Sequence, residues 1–298
     1  MLWRLFRRIF AGRLEAAIHA SAGRGEEPSF PRLGSQLCTA SQMRAPEYLE
    51  WCRFLKCEGE TLHRKVWEYC YIMQGLTEQL GSFEGKRGLG FGVGRERLAE
   101  AFAALGAEVV ATDQAPEAAD QQGWAGTGQY ANVIASLNRL KICDPAIFER
   151  RVQFRVADMN QISDDLSGFD FVWSACAFEH LGSIERGLDF VVRAMDCLKP
   201  GGVAVHTTEY NLTSNDATPA SGATVLFRRR DIEELGNRLR DRGFELLPLN
   251  LHPGGDRLDH HVDVPPYKLS PHLRLMISRH AATSLGILIR RGSRPGTR

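Results

Sequence analysis

The chain has 298 residues, of which 43% are hydrophobic and 24% charged, and its 37 basic and 36 acidic residues leave a formal net charge of +1. This composition is typical of a globular protein, and no apolar run is long enough to span a membrane. The charge balance lacks the basic excess of nucleic-acid binders, so we expect no nucleic acid among the partners. Seven scattered cysteines without a C-x-x-C pair predict reduced thiols in the cytoplasm rather than a disulfide framework or zinc ribbon.

The first twenty residues interleave arginines with apolar side chains at helical spacing. This pattern predicts a basic amphipathic helix at residues 1–20, which either contacts an anionic membrane surface or packs on a protein surface. Residues 21–45 mix Gly, Pro, Ser and charge without periodicity, which indicates a linker. Residues 1–45 are therefore predicted to be a helix and linker that precede the compact part of the chain.

From residue 46 onward the hydrophobic pattern becomes regular. Residues 46–82 carry apolar side chains three and four positions apart, which predicts an N-terminal cap of two helices broken near Gly59. Residues 83–291 alternate short apolar runs with amphipathic stretches, and this predicts an α/β domain whose mostly parallel sheet has helices on both faces. The predicted strands are 87–91, 107–112, 152–156, 169–175, 202–208, 244–249 and 284–290. Residues 292–298 are predicted to be a flexible tail.

The most specific motif is the glycine-rich stretch G-L-G-F-G-V-G at residues 88–94, between a predicted strand and a predicted helix. Glycines allow a tight turn and the close approach of a ligand, and the N–H groups at the helix start face that ligand. The spacing is G-x-G-x-G, not the G-x-G-x-x-G of dinucleotide-binding folds, which disfavours a nicotinamide-dependent reductase.

Two further predicted strands end in an acid. Asp113 lies 19 residues after Gly94, at the end of the second strand. A carboxylate there can accept hydrogen bonds from both hydroxyls of a ribose. Asp158 follows the third strand, where a carboxylate can accept a hydrogen bond from the exocyclic amine of an adenine. Three strand tips in this order predict a site for an adenosine-shaped ligand.

With these motifs the sequence resembles the class I S-adenosylmethionine-dependent methyltransferases over roughly residues 85–290. The residues 178–181, F-E-H-L, are similar to those of small-molecule O-methyltransferases of the ubiquinone-biosynthesis type. The resemblance implies a Rossmann-like sheet of seven strands, with the last strand antiparallel, and S-adenosylmethionine as cofactor. It rests on the glycine loop and on A-T-D at 111–113, A-D-M-N at 157–160, F-D-F-V-W-S-A-C-A-F-E-H-L at 169–181 and L-K-P-G-G at 198–202.

The resemblance also implies which residues contact the cofactor: Gly90, Phe91, Gly92, Gly94, Glu96, Asp113, Asp158, Met159 and Ser174. Family members usually carry an acid two positions before the first loop glycine, where it contacts the methionine amino group, but this chain has Gly88 there. We expect Glu96 or an N-terminal residue to make that contact. Arg64 and Lys65 in the predicted cap are candidates for the cofactor carboxylate.

Four polar residues lie at or after the carboxyl ends of the fourth and fifth predicted strands, namely Glu179, His180, His206 and Glu209. Methyl transfer is an in-line displacement, so the protein must hold an acceptor lone pair close to the activated carbon, and a hydroxyl acceptor gains from a base. His180 or His206 can serve as this base, oriented by Glu179 or Glu209. We therefore name His180, His206 and Glu209 as candidate catalytic residues.

Two other interpretations of these side chains stay open. A divalent metal that binds the acceptor oxygen can be held by residues drawn from the set Glu179, His180, Glu209, His260 and His261. Some relatives with E-x-x-E-H after the fourth strand bind a metal in this way, although Cys176 replaces the first glutamate here. Alternatively, the glutamate and histidine only cap the following helix and satisfy buried backbone groups.

These patterns together predict a cytoplasmic S-adenosylmethionine-dependent methyltransferase, EC 2.1.1.-, that acts on an oxygen of a small molecule or glycan precursor. Contact with a membrane surface through residues 1–20 is one of the two roles predicted for that segment. The alternative function is a non-catalytic protein that binds S-adenosylmethionine as a regulator or scaffold.

Overall fold

The computed structural model describes residues 18, 25–115, 134–268 and 270–293. Within these residues, eleven strands form one mixed sheet. The strands are β1 (Ser35–Leu37), β2 (Arg87–Gly90), β3 (Glu108–Asp113), β4 (Val152–Val156), β5 (Phe169–Ala175), β6 (Leu198–Asn211), β7 (Phe244–Leu246), β8 (Leu249–Asn250), β9 (Val262–Asp263), β10 (Arg274–Ile277) and β11 (His280–Arg291). The α-helices are α1 (Pro46–Phe54), α2 (Arg64–Leu80), α3 (Leu98–Ala104), α4 (Pro145–Arg151), α5 (Ile184–Ala194) and α6 (Arg229–Asp241). No helix in this part of the chain is both long enough and apolar enough to cross a membrane.

The order of the strands confirms the predicted Rossmann-like α/β fold. The central path is β4–β3–β2–β5–β6–β11, with the first five strands parallel and β11 antiparallel to β6. Strand β7 pairs antiparallel with the end of β11, which completes the seven expected strands. Four short strands that were not predicted as such, β1, β8, β9 and β10, extend the sheet beyond β11. Because the parallel strands point the same way, their carboxyl ends share one edge.

Helices cover both faces of the sheet, as predicted. Successive residues of β5 point to opposite faces, so Phe171 and Trp173 belong to the apolar cluster under α1–α4, while Val172 belongs to the cluster under α5 and α6. Side-chain caps begin some of these helices: Asp144 accepts from the first N–H groups of α4, and Ser183 accepts an N–H of α5 at 3.2 Å. The helix after each strand therefore begins close to the sheet edge that carries the predicted motifs.

The segment interpreted as a linker is packed from residue 25 onward. Phe30, Leu37 and Met43 are buried, and β1 pairs with β11. The local sequence does not predict this packing, because the residues that contact the segment are distant in the chain. For example, Trp67 Nε1–H donates to Gln42 Oε1 at 3.1 Å. Residues 46–82 contain the two expected helices, but α2 lies directly on β6 and β11 instead of forming a separate cap. Nearly all of the predicted first helix and tail lie outside the described residues.

Candidate functional site

The glycine loop between β2 and α3 is shaped by backbone requirements. Gly92 and Gly94 have φ angles of 56° and 51°, in the left-handed region that L side chains rarely adopt. A Cβ placed on Gly92 would lie 2.8 Å from the Cβ of Ala177, and one placed on Gly90 would overlap the Trp173 ring. The loop therefore needs glycine at these positions, and it presents bare backbone at the sheet edge.

Asp113, at the end of β3, is bonded to this loop. Its Oδ2 accepts the Gly94 N–H at 3.0 Å, and its Oδ1 accepts the Gln114 N–H at 2.8 Å. The neighbouring Thr112 hydroxyl donates to the Gly90 carbonyl at 2.8 Å, which ties the loop to β3 from a second point. The carboxylate predicted to bind ribose is thus held beside the glycine loop.

A cavity of about 820 Å³ opens at this edge, which is within the usual size range of small-molecule sites. Six of the nine predicted cofactor residues line it, namely Gly92, Gly94, Glu96, Asp113, Asp158 and Met159. Phe91 instead packs edge-to-face on Phe190, with ring centroids 5.2 Å apart. Ser174 Oγ is hydrogen-bonded to His206 Nδ1 at 2.8 Å, and Gly90 lies under Trp173. These three residues support the site from behind instead of lining it.

His180 lies at another part of the cavity wall, on the turn after β5. Its Nδ1 is 2.8 Å from the carbonyl oxygen of Ala223 and 3.2 Å from the Thr224 hydroxyl. A carbonyl oxygen can only accept, so this contact assigns the proton to Nδ1 and leaves Nε2 as the basic nitrogen. The His180 side chain is 23% exposed, so the ring is only partly buried where it lines the cavity.

His206, the other predicted base, does not line the cavity. Its ring is fully buried beside Phe178 and Phe190, at centroid distances of 6.2 and 5.7 Å. Burial lowers its pKa to about 3, so the ring is neutral over the pH range of most enzymes. Its Nε2 finds no hydrogen-bond partner among the described residues. The structure therefore places His206 in the core, where β6 points it between aromatic rings.

Glu209 belongs to a buried ionic group, which we call the Arg64 cluster: Arg64, Glu68, Glu209 and Ser284. Arg64 Nη2 is 2.5 Å from Glu209 Oε1, and Arg64 Nη1 is 3.1 Å from Glu68 Oε1. Ser284 hydrogen-bonds both Arg64 and Glu68. Burial lowers the pKa of Arg64, but the nearby Glu209 and Glu68 charges outweigh it and raise the pKa above normal. Glu209 is 5% exposed and lies behind the cavity wall, so its observed role is an ion pair.

The candidate metal ligands are only partly brought together. Ligand atoms of Cys176, Glu179 and Glu209 lie within 4.8 Å of one another, and all three residues are buried. Glu179 Oε1 and Glu209 Oε2 lack hydrogen-bond partners in the described structure, and burial raises the pKa of Glu179. His180 Nε2 is 3.9 Å from Glu179 Oε1. Cys176, whose φ is 46°, lines the cavity.

His260 and His261 do not join this group. Both are exposed on the loop before β9. They were named as candidate ligands from sequence alone, and sequence spacing does not determine where a loop folds. Of the five candidate metal ligands, the structure therefore brings only Glu179 and Glu209 together, and it places Cys176 beside them.

Sequence reasoning missed several cavity residues: Tyr69, Arg139, Arg186, Gly222 and Ala223. Tyr69 stands one helical turn after Lys65 on α2, so the helix period was the signal that could have found it. Gly222 and Ala223 carry no local signal. The Gly222 N–H donates to the Gly182 carbonyl at 3.0 Å, and this long-range contact brings their loop to the cavity.

The chain was compared with protein-family models, curated proteins and solved structures. Residues 89–206 match a family model described as a methyltransferase domain. No curated protein shows significant sequence similarity to the chain. Similar solved structures include an S-adenosylmethionine-dependent methyltransferase from Mesorhizobium loti, 16% identical with a TM-score of 0.44, covering 72% of this chain and 95% of that one. Another is the DhpI–SAH complex, 15% identical with a TM-score of 0.41, covering 78% and 96%. Likeness at this level carries no argument about substrate.

The family match and the strand order support the class I methyltransferase prediction at the level of the domain. The matched segment begins in β2 and ends in β6, so it includes the glycine loop, Asp113, Asp158 and His180. Helices α1 and α2 and the strands after β6 lie outside it. The small-molecule O-methyltransferase branch stays a prediction.

Proposed function

We propose that the protein is an S-adenosylmethionine-dependent methyltransferase that methylates an oxygen of a small molecule or glycan precursor. The observation that carries this proposal is one cavity lined both by the glycine loop with Asp113 and Asp158 and by His180. The first group suits an adenosine, and the histidine suits an acceptor that must lose a proton. The methyltransferase-domain match over residues 89–206 supports the same reaction class.

The chain's own residues supply binding, orientation and a proton acceptor. When bound, S-adenosylmethionine would supply a methyl group activated by its sulfonium, with S-adenosylhomocysteine as the leaving group. His180 Nε2 accepts the hydroxyl proton, because the Ala223 carbonyl keeps the other ring proton on Nδ1. The Ala223 carbonyl and Thr224 hydroxyl also hold the ring in position, so this loop is a positioning element for the base.

A metal-assisted variant of this mechanism has its own observation. Two buried carboxylate oxygens without partners, from Glu179 and Glu209, lie near the Cys176 thiol, and this donor set fits a divalent cation. A bound cation would lower the pKa of an acceptor oxygen. Cys176, Glu179 and Glu209 would hold it, with Arg64 keeping Glu209 in place.

Calorimetric titration with S-adenosylmethionine and S-adenosylhomocysteine, with and without magnesium or zinc, tests the cofactor site. We expect wild type to bind both and Asp113→Ala to lose at least about tenfold in affinity, since the substitution removes one charge-assisted hydrogen-bonding group. Asp164→Ala, at an exposed acid away from the cavity, is the matched control. Absence of binding of either ligand by folded wild type at millimolar concentration would refute the methyltransferase proposal.

A transfer assay then separates the enzyme from the non-catalytic alternative. Methyl-labelled S-adenosylmethionine is incubated with a panel of hydroxyl-bearing small molecules and glycan precursors. Once an acceptor is found, His180→Gln should lower turnover by about 10²- to 10⁴-fold. The affinity for the product S-adenosylhomocysteine should not change. Cofactor binding without transfer to any acceptor class would favour a regulatory or scaffold protein.

We also propose a cytoplasmic protein that contacts anionic membrane surfaces through residues 1–20 and binds no nucleic acid. The supporting feature is the arginine-rich, apolar composition of that segment beside a near-neutral whole chain. Co-sedimentation with vesicles containing phosphatidylserine should be lost when residues 1–20 are deleted. Equal sedimentation of both forms would contradict the membrane contact.

A further inference from the structure

The order of the strands divides the cavity wall into two parts. The glycine loop, Asp113 and Asp158 follow β2, β3 and β4, whereas the turn with His180 follows β5, on the opposite side of β2 from β3. The first part is the one proposed to hold the nucleoside of the cofactor. We call the second part the acceptor half, which consists of the cavity residues 180–182, 186, 222 and 223.

Main-chain hydrogen bonds build the acceptor half from two segments that are distant in the chain. The Gly222 N–H donates to the Gly182 carbonyl at 3.0 Å, and the Ile184 N–H donates to the Ala220 carbonyl at 3.1 Å. These bonds join the turn after β5 to the loop after β6. The wall is therefore held by the protein's own backbone, and a side chain on it has a defined place beside the cavity.

Arg186, on the first turn of α5, is directed toward this wall. Its Nη1 would lie 3.3 Å from a Cβ placed on Gly182, so the guanidinium folds back against the turn. The acids next to it on the helix, Glu185 and Asp189, instead pair with Arg238 of α6 at 2.7 and 3.2 Å. Among the described residues, no carboxylate forms an ion pair with Arg186, and its side chain is exposed where it lines the cavity.

In the described structure, no acid lines the acceptor half. The acids on the cavity wall all follow β2, β3 or β4, and they are Glu96, Asp113 and Asp158. Glu179, next to His180 in sequence, is fully buried behind the wall. A guanidinium without a carboxylate beside it attracts an anionic group and disfavours an ammonium group. The acceptor half is thus complementary to negative charge.

Other cations line the cavity, but they come from different segments. Arg95 directly follows the glycine loop, and Arg139 follows a helical turn, Ile134–Asn138, that packs on α3 and β4. Lys65, on α2, is paired with Glu68 at 3.2 Å. Among the cations of the described cavity wall, Arg186 is therefore the one that shares a turn with the proposed base, His180.

We infer that the methyl acceptor carries an anionic oxygen group, a carboxylate or a phosphate, which Arg186 binds while the acceptor hydroxyl faces His180. This inference rests on the proposed function and narrows its substrate class. A guanidinium presents parallel N–H groups to two oxygens of such an anion, so it fixes the orientation of the acceptor as well as its position. Because residues 180 and 186 belong to one short stretch, the hydroxyl and the anion are held on the same wall.

Titration with simple anions tests this site without knowledge of the acceptor. Protein saturated with S-adenosylhomocysteine, which occupies the cofactor contacts, is titrated calorimetrically with benzoate and with inorganic phosphate. We expect wild type to bind one of them more tightly, which distinguishes a carboxylate from a phosphate. Arg186→Gln should weaken that binding about 10- to 100-fold, the usual effect of losing one charged hydrogen-bonding group, and Arg186→Lys should recover part of the loss. Arg240→Gln, exposed on α6 and absent from the cavity wall, is the matched control.

Paired acceptors test the same contact in the reaction. Methyl-labelled S-adenosylmethionine is offered with 4-hydroxybenzoate or 4-hydroxybenzamide, with glucuronate or glucuronamide, and with glucose 6-phosphate or glucose. In a pair that is methylated, we expect the anionic member to have the lower KM. Arg186→Gln should raise that KM about 10- to 100-fold and leave the affinity for S-adenosylhomocysteine unchanged.

Several results would overturn the inference. Wild type that binds neither anion, equal anion binding by wild type and Arg186→Gln, or equal methylation of neutral and anionic acceptors would each do so. An equal loss of S-adenosylhomocysteine affinity in Arg186→Gln would also do so, because Arg186 would then bind the cofactor. Failure of wild type to bind S-adenosylhomocysteine would instead refute the proposed function.

Discussion

The glycine loop lines the cavity and the Arg64 cluster is buried in the core, and the two are built in different ways. The loop is a short stretch with left-handed glycines, and side chains at the end of the next strand, Thr112 and Asp113, hydrogen-bond its backbone. The Arg64 cluster is made by side chains from α2, β6 and β11, and its Arg64–Ser284 contact spans 220 positions. A loop whose shape depends on its glycines is visible as a local sequence motif. A network of side chains that are distant in sequence leaves no such motif.

The two regions also differ in what their loss should cost. Replacing a loop glycine by a larger residue places side-chain atoms in occupied space, and this should weaken ligand binding directly. Removing one member of the Arg64 cluster leaves buried charges without partners, and buried ions depend on their partners for stability.

The largest expected effect is on stability, from breaking the Arg64 cluster. Arg64→Met leaves Glu68 and Glu209 buried without their guanidinium, and we expect the free energy of unfolding to fall by about 3–5 kcal/mol. Urea denaturation followed by circular dichroism measures this change. Arg238→Met is the matched control: it removes an arginine from pairs with the exposed Glu185 and Asp189, and it should cost under about 1 kcal/mol. Similar costs for both variants would show that burial of the cluster is unimportant.

The next effect is on cofactor affinity, from the glycine loop. Gly92→Val adds a β-branched side chain where φ is 56° and Ala177 is in contact, so we expect S-adenosylhomocysteine affinity to fall at least about 100-fold, or about 2.7 kcal/mol. Gly59→Val is a suitable control, because nothing lies within 4 Å of its added Cβ. A loss limited to Gly92→Val supports the loop as the binding element, and retained affinity contradicts it.

The smallest effect is a pH dependence from His206. The folded-state pKa is lowered to about 3 by burial, below the ordinary 6.5, so the unfolded chain takes up a proton first as pH falls. Stability from this residue is therefore complete above pH 6.5 and decreases as pH falls toward 3. Between pH 6.5 and 5.5 the change should be about 1 kcal/mol, and His206→Gln should remove it. His261→Gln, at an exposed loop position, should leave the slope of the urea-derived stability unchanged.

Comparison of prediction and structure shows the same division between local and distant information. The strands 152–156 and 169–175 were predicted with the observed bounds. The first alternates apolar and polar residues, as a strand at the edge of a sheet does, and the second is a mostly buried apolar run. Residues 25–45 were misassigned as a linker, because their order comes from pairing with β11 and from packing against α2. The antiparallel last strand was expected only through the family resemblance, and the register of β11 on β6 confirms it.

Within the site, the same limit applies to individual side chains. The alternation of β6 did not reveal that His206 points between Phe178 and Phe190, nor that Glu209 meets an arginine from α2. His206 and Glu209 were both predicted to lie near the methyl acceptor, because they occur with other polar residues near the carboxyl end of one strand. Their actual surroundings depend on which helix covers each face, and strand periodicity gives the face but not the helix.

The sequence by itself determined the α/β sheet, the glycine loop and the acids at two strand tips, because these depend on backbone geometry and on residues close together in the chain. Only the tertiary structure decided that His180 lines the cavity while His206 does not, that Glu209 pairs with Arg64, and that Lys65 of α2 lines the same cavity as the glycine loop. The physical reason is that burial and charge pairing are properties of neighbours in space. In the Arg64 cluster, for example, the neighbours Arg64 and Ser284 are 220 residues apart.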